Sequence, residues 1–320
     1  GVRQVAVLTL DELKELRDQG FRAEILKGPN TINNVTLAQV TTGVARAYRA
    51  LGGSKVSITY DSRVYGKAFA DYVAAIFLKE GFTVYLFDAA SPMPEMSYSV
   101  AALKLDLGIL VSASHNAAPF NGYKVTNRVG AQLDPATRDG IIQSIYGNPG
   151  VSFADIAEIL EASVALEDPL AVYHIPAGSG RLGPLVERFS VGPPERVVVL
   201  ESHDIDADAN GRRHVDIHGP HARHVLSHIL RPDIVSQWAS KLGTLFSAFY
   251  GVGLEAFRRT AVAGAGLSHV KVVDEYSRMD GLFPRLTERT VEGVADPIIP
   301  DPGNSAGHAF TWEHVVEDLF

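Results

Sequence analysis

Within eleven residues, Ser114, His115, Asn116, Asn121 and Lys124 place a hydroxyl, an imidazole, two amides and an amine together. A serine can act as a nucleophile, a lysine can move protons or hold a phosphate, and amides can orient oxygens. An apolar run, Leu107-Gly108-Ile109-Leu110-Val111, leads into this stretch and predicts a buried strand. The small, Gly- and Pro-marked residues that follow are too short and too interrupted for a helix. The chemistry would thus sit on a loop at the end of a buried strand, where open α/β sheets place their sites. The plainer alternative is a polar strand-to-helix turn whose Ser and Asn only cap backbone groups. The number of competent side chains favours a site.

The elements that must position this loop follow from periodicity. A helix is predicted over residues 10–16, and another over 36–51, with Leu37, Val40, Val44, Ala47 and Leu51 on one face. Short apolar strands are expected at 56–60, 83–87 and 107–111, with helices at 68–79 and from Pro92 through Leu103 between them. A short hairpin around Gly130 and a helix over 135–146 complete the block. Strands that alternate with helices predict an α/β fold, a mixed or parallel sheet with right-handed crossovers. Gly147-Asn148-Pro149-Gly150 is the strongest turn signal nearby and sets the first boundary.

Beyond it, 154–164 reads as a helix, 176–192 as a Gly- and Pro-rich linker, and 196–200 as a strand. That strand delivers Asp204, Asp206 and Asp208, carboxylates at alternate positions that could gather around a hard divalent cation. Asp206-x-Asp208-x-Asn210-Gly211 also matches the front of a calcium loop, but its twelfth position is Ile217, not the bidentate Glu. A solvated acidic loop is an equally good reading. Six of the eleven histidines lie between His203 and His228, and His221, His224 and His228 could share a helix face. Without cysteine, and with Pro220 among them, a polar, solvent-facing segment is expected. A helix over 226–242 with Pro232 at a start or kink, a strand at 244–249, a glycine turn, a helix over 254–263 and a strand at 269–274 follow. Extended loops at 281–284 and 297–302 and a last helix from Trp312 close the chain.

Composition narrows the classes. The 320 residues suit about two domains of the usual ~150 residues. Apolar content of 46% is ample for a core, and the net charge of −8 argues against nucleic acid as the main partner. Absent cysteine, there is neither a disulfide framework nor a thiolate metal site. No apolar run reaches the ~20 residues that span a bilayer, so no membrane is expected and the cytoplasm is the default compartment.

Ser112-Ala113-Ser114-His115-Asn116, followed by Asn121-Gly122-Tyr123-Lys124-Val125, closely resembles the phosphoserine loop of the α-D-phosphohexomutases, the phosphoglucomutase/phosphomannomutase superfamily. Gly20-Phe21-Arg22-Ala23 with 28–33 resembles its N-terminal arginine loop, and Tyr60-Asp61-Ser62-Arg63 its first strand exit. Pro92–Ser97 resembles its proline loop. The phosphopentomutase and glucose-1,6-bisphosphate synthase branch is the nearest in flavour. A weaker likeness to the second domain runs through Trp238–Phe257, with Tyr250 where the family has His, and through 272–284.

This resemblance implies a phosphohexomutase domain 1 over 1–147, a poorly matching connector over 148–235 and a domain 2-like α/β unit over 236–320, with mixed sheets and helices on both faces. It implies a phosphosugar mutase acting on hexose or pentose phosphates. Ser114 would carry the phosphoryl group, Arg22, Lys124 and His115 would serve the acid/base and loop neighbourhood, and Asn116, Asn121, Gly122 and Arg63 would shape the loop or meet substrate. Mg²⁺ held by Ser114 with Asp204, Asp206 and Asp208, and a sugar 1,6-bisphosphate as activator, are the implied cofactors. The acidic loop precedes the Tyr250 segment instead of following Phe283-Pro284, however, and no third or fourth domain is recognisable. A fragment or shortened relative is therefore expected. The alternative is a sugar-phosphate-binding or regulatory module without turnover.

Overall fold

The computed structural model describes residues 32–118, 120–166, 181–284, 289–291 and 294–296. The expected helix at 10–16, Arg22 and its loop, and the segments at 297–302 and 312–320 lie outside the described residues. The chain divides into two compact units. The first holds the described residues up to Asp61 with Tyr65–Ser112 and Gly122–His218, and the second holds Ser62–Val64, Ala113–Asn121 and the described residues from Gly219 onward.

The first unit is built on a six-stranded sheet of order β4-β3-β1-β2-β5-β6. Its strands are β1 (Lys55–Tyr60), β2 (Thr83–Phe87), β3 (Leu107–Val111), β4 (Tyr123–Thr126), β5 (Val197–Glu201) and β6 (His214–Asp216). All neighbours are parallel except β3 and β4, an antiparallel edge pair in which Leu110 faces Lys124. Strand side chains alternate between two cores, as a sheet covered on both faces requires. Val84, Leu86, Ile109 and Val111 face one core with helices α1 (Asn34–Ala50), α2 (Gly66–Lys79), α3 (Pro135–Tyr146) and α4 (Phe153–Val164). Tyr85, Phe87 and Leu110 face the other, with Met96 and Val100 of α5 (Met93–Ala102).

Local chemistry sets these boundaries. Asn33 caps α1, its side chain accepting from the Thr36 N–H at 2.9 Å, while Asp134 caps α3 ahead of Pro135. Gly130, at φ 75, makes the turn after β4, because its Cβ would stand 2.3 Å from the Ser97 carbonyl. Every strand expected from sequence in this unit forms, the hairpin expected around Gly130 is present as β4 with an antiparallel Thr126–Gln132 bridge, and β6 adds to them. Two expectations differ. The supposed linker at 176–192 contains a helix, α6 (Pro184–Phe189), whose first N–H groups donate to the Asp71 carboxylate at 3.0 and 3.1 Å. A buried carboxylate from another helix supplies what the local sequence lacks, a cap for the helix N-terminus. Residues beyond Gly147 also stay with the first unit, since α4 packs on α1 and β5 continues the sheet beside β2.

In the second unit, β7 (Gly243–Phe246) and β8 (His269–Val272) form a parallel pair. The helix expected over 226–242 is two helices, His218–Ser227 and Pro232–Trp238, because Pro232 opens the second at its first turn. The helix expected over 254–263 begins at Gly253 and widens to a π-helix over Arg258–Gly264. Tyr250, Tyr276 and Phe283 form this unit's small aromatic core. Among the described residues, no helix is long and apolar enough to cross a membrane.

Candidate active site

The serine loop starts where β3 ends. The Ser112 N–H donates to the Gly122 carbonyl at 2.9 Å and closes the loop's base. Ser114 sits exposed at the turn with φ 59, a left-handed conformation that a residue with a Cβ adopts at a cost of about 1–2 kcal/mol. His115 and Asn116 are exposed beside it, and Asn121 and Gly122 are half-buried on the return. Lys124 is half-buried on edge strand β4, paired with Leu110.

Arg63 holds this loop from inside. It leaves β1 through a tight turn in which Asp61 donates to the Val111 carbonyl at 3.2 Å and Tyr65 takes φ 63 before α2. Its guanidinium, only 3% exposed, donates through Nη1 to the carbonyls of Ala117 (2.8 Å) and Phe120 (2.7 Å). Nη2 donates to those of Ser114 (2.8 Å) and Asn116 (2.5 Å). The structure thus brings Arg63, Ser114, Asn116 and their neighbours together through main-chain oxygens.

The acidic loop is a different kind of object. Asp204 and Asp206 are exposed, and Asp204 accepts from the Asp216 N–H at 2.9 Å. Asp208 accepts from the N–H groups of Asn210 and Arg212, from Arg212 Nε at 3.1 Å, and meets His214 Nε2 at 3.3 Å. Burial alone would raise its pKa, but these donors bring it down to about 2. Arg212 also reaches Glu187 at 2.7 Å, and His214 Nδ1 lies 2.7 Å from Glu201. The loop's inner carboxylate is therefore spent on an internal ion-pair network. Among the described residues no group of three or more His, Asp or Glu side chains is arranged to hold a metal ion. Asp204, Asp206 and Asp208 do not fit the Mg²⁺ expected of them, because one is turned inward to cations while the others face solvent.

The histidines correct the sequence reading as well. His214, His218 and His221 are buried, not solvent-facing. His218 Nδ1 lies 2.9 Å from Glu95 Oε2, and both side chains are nearly inaccessible. Pro220 falls in the first turn of the 218–227 helix, where proline costs no hydrogen bond, so it does not interrupt the segment.

Residues 13–149 match the family described as phosphoglucomutase/phosphomannomutase, alpha/beta/alpha domain I. That segment is similar to domain I of the phosphoglucomutase/phosphomannomutase family. The chain is 34% identical over 133 residues to a phosphoglucomutase of Staphylococcus haemolyticus, covering 41% of this chain and 24% of that protein. It is 34% identical over 144 residues to the human phosphopentomutase, covering 42% of this chain and 24% of that protein. The chain thus spans about a quarter of the length of these curated relatives. A crystal structure of the exocytosis-sensitive phosphoprotein parafusin, a phosphoglucomutase from Paramecium, superposes with a TM-score of 0.52 at 13% identity. That likeness covers 86% of this chain and 43% of the other, and it shows a shared fold. Ser114, Lys124 and Arg63 lie inside the matched segment and the acidic loop lies outside it.

Sequence reasoning had no signal for the role of Phe283. Its Gly281-Leu282-Phe283-Pro284 segment reads as an extended loop, yet the Phe283 ring lies 5.2 Å from the Arg63 guanidinium carbon. The one available hint was Gly281. A Cβ there would stand 2.4 Å from the Val64 N and 2.6 Å from the Ser62 carbonyl, so only glycine permits that approach.

Proposed function

We propose that Ser114 accepts and returns a phosphoryl group in phosphosugar mutase chemistry on hexose or pentose phosphates. The observation that carries this reading is an exposed serine, held in a left-handed turn at the tip of a domain I loop and anchored by a buried arginine. In the step envisaged, Ser114 Oγ bonds to phosphorus of a sugar 1,6-bisphosphate as the bond from phosphorus to the sugar oxygen breaks. The proton leaving Oγ is taken up in the site and the departing sugar oxygen is protonated. By resemblance, Lys124 and Arg22 would be the cations that serve this step. Fixed cations suit the charge that gathers on the transferring phosphoryl oxygens.

The test is intact-mass and peptide analysis after incubation with glucose 1,6-bisphosphate, alongside conversion of glucose 1-phosphate to glucose 6-phosphate. One added phosphoryl group, located on Ser114 and lost in Ser114→Ala, supports the proposal. Calorimetric binding of glucose 1-phosphate without phosphoryl uptake would instead favour a binding or regulatory module. Neither binding nor uptake would overturn both.

A further inference from the structure

We infer that Arg63 is a positioning residue that sets the shape of the serine loop from beneath, with the Phe283 ring as its cover. It is not a substrate-facing cation. This rests on the reading of Ser114 given above, but the geometry that supports it is independent of that chemistry.

A guanidinium carries four N–H bonds on its two terminal nitrogens, and here four carbonyls of residues 114, 116, 117 and 120 receive them. With 3% of its surface exposed and its terminal donors so used, Arg63 presents no edge to a ligand. The effect falls on the loop instead. Drawing these four carbonyls inward to one point fixes their peptide groups, and so fixes the left-handed turn that lifts the Ser114 side chain outward. The charge-assisted, planar fork is specific to arginine, because a lysine offers a single nitrogen and cannot meet four acceptors spread in a plane.

The cover is built as deliberately. Phe283 lies over the guanidinium at 5.2 Å, inside cation–π range. It is held by Tyr250, whose ring stacks on it at 6.3 Å and 21°, and by its own N–H to the Asp280 carbonyl at 3.2 Å. Tyr276 meets Tyr250 edge-on at 5.7 Å, and Ala118 of the serine loop packs against the same aromatic cluster. Gly281 lets this segment press on the backbone of 62–64. A loop residue, an arginine and an aromatic cluster from 250–283 thus form one packed body, and disturbing the ring should loosen the serine loop through Arg63.

The experiment compares wild type, Arg63→Ala, Arg63→Lys and Phe283→Leu by amide hydrogen exchange and by the rate of phosphoryl uptake on Ser114 from glucose 1,6-bisphosphate. Exchange over 113–121 should rise about tenfold or more in Arg63→Ala, the scale of one lost charge-assisted bond. Exchange over Val197–Glu201 should stay at the wild-type rate. Uptake should fall on the order of 100-fold, as expected when a reacting group is misplaced by about an ångström. Added guanidinium ion should restore both readouts in Arg63→Ala, Arg63→Lys should remain defective, and Phe283→Leu should show a smaller rise confined to the same loop. Loop exchange within about twofold of wild type in Arg63→Ala, or a rise shared equally by 197–201, overturns the inference. If Arg63→Ala does not fold, Phe283→Leu and Arg63→Lys carry the same comparison. Wild type that takes up no phosphoryl group would defeat the Ser114 reading and leave the exchange arm to decide the role of Arg63.

Discussion

Arg46 Nη2 lies 2.7 Å from Asp155 Oδ1 and ties α1 to the first turn of α4. The same carboxylate accepts from the Ser152 N–H at 2.8 Å and its hydroxyl at 2.7 Å, so one side chain both caps its own helix and pins it to another. Hydrogen bonding to Arg46 is the main reason that the Asp155 carboxyl is held well below the usual carboxylate range.

Asp155→Asn should therefore cost about 1 kcal/mol at neutral pH, most of it from the cap, since the pair is partly exposed. A depressed carboxylate stabilises the fold above its unfolded pKa and loses that contribution as pH falls through the folded value. The gap between wild type and variant in urea unfolding should be full at pH 7 and shrink below about pH 4. A gap independent of pH would show that the charge plays no part.

Asp208 is the sharper case, because its partners Arg212 and His214 are buried. Asp208→Ala takes one partner from each, leaving Arg212 to Glu187 and His214 to Glu201, and should destabilise by about 2 kcal/mol, whereas Asp206→Ala, exposed, should stay within about 0.5 kcal/mol. The Asp208 contribution should persist at neutral pH and disappear as pH falls from about 4 through about 2. Thermal unfolding of the two variants over that range checks it. Magnesium titration by calorimetry should give the same result for wild type and Asp206→Ala.

Gly43 opposes helix propensity to packing. Alanine is favoured in a helix interior by about 1 kcal/mol, but its Cβ would stand 2.3 Å from Ile145 Cγ1 and 3.0 Å from Ile145 Cα. The backbone of α3 would have to move, so Gly43→Ala should lower stability by about 1–3 kcal/mol in spite of its propensity. Denaturant midpoints decide which effect wins.

Ser114 should show a cost of function in the fold itself. At φ 59, glycine is unstrained while alanine is not. Ser114→Gly should be more stable than Ser114→Ala by about 1 kcal/mol, and neither should take up a phosphoryl group. Equal stabilities would mean that the turn carries no strain.

Much of the first unit was legible in the chain. Strands at 56–60, 83–87 and 107–111 and the helix at 135–146 follow from apolar runs, periodicity and caps, all local signals that a sheet buried on both faces reinforces. The loop at 112–124 stood out for the same reason, since its competent side chains are concentrated in one short stretch. What stayed hidden depended on which partners the fold brings to each side chain. The helix at 184–189 is capped by Asp71, the histidines at 214 and 218 are buried against Glu201 and Glu95, and the acidic loop turns Asp208 toward Arg212 and His214. Alternating aspartates look the same in sequence whether they converge on a cation or face apart.

By itself, then, the sequence determined that a serine loop ends a buried strand of an α/β unit, because strand burial and loop composition are written within a few residues. Only the tertiary structure decided that Arg63 faces that loop's carbonyls and not a ligand, and that Phe283 covers it. The direction of a guanidinium is set by which acceptors the fold gathers around it, and those acceptors lie more than fifty residues away, with the covering ring farther still.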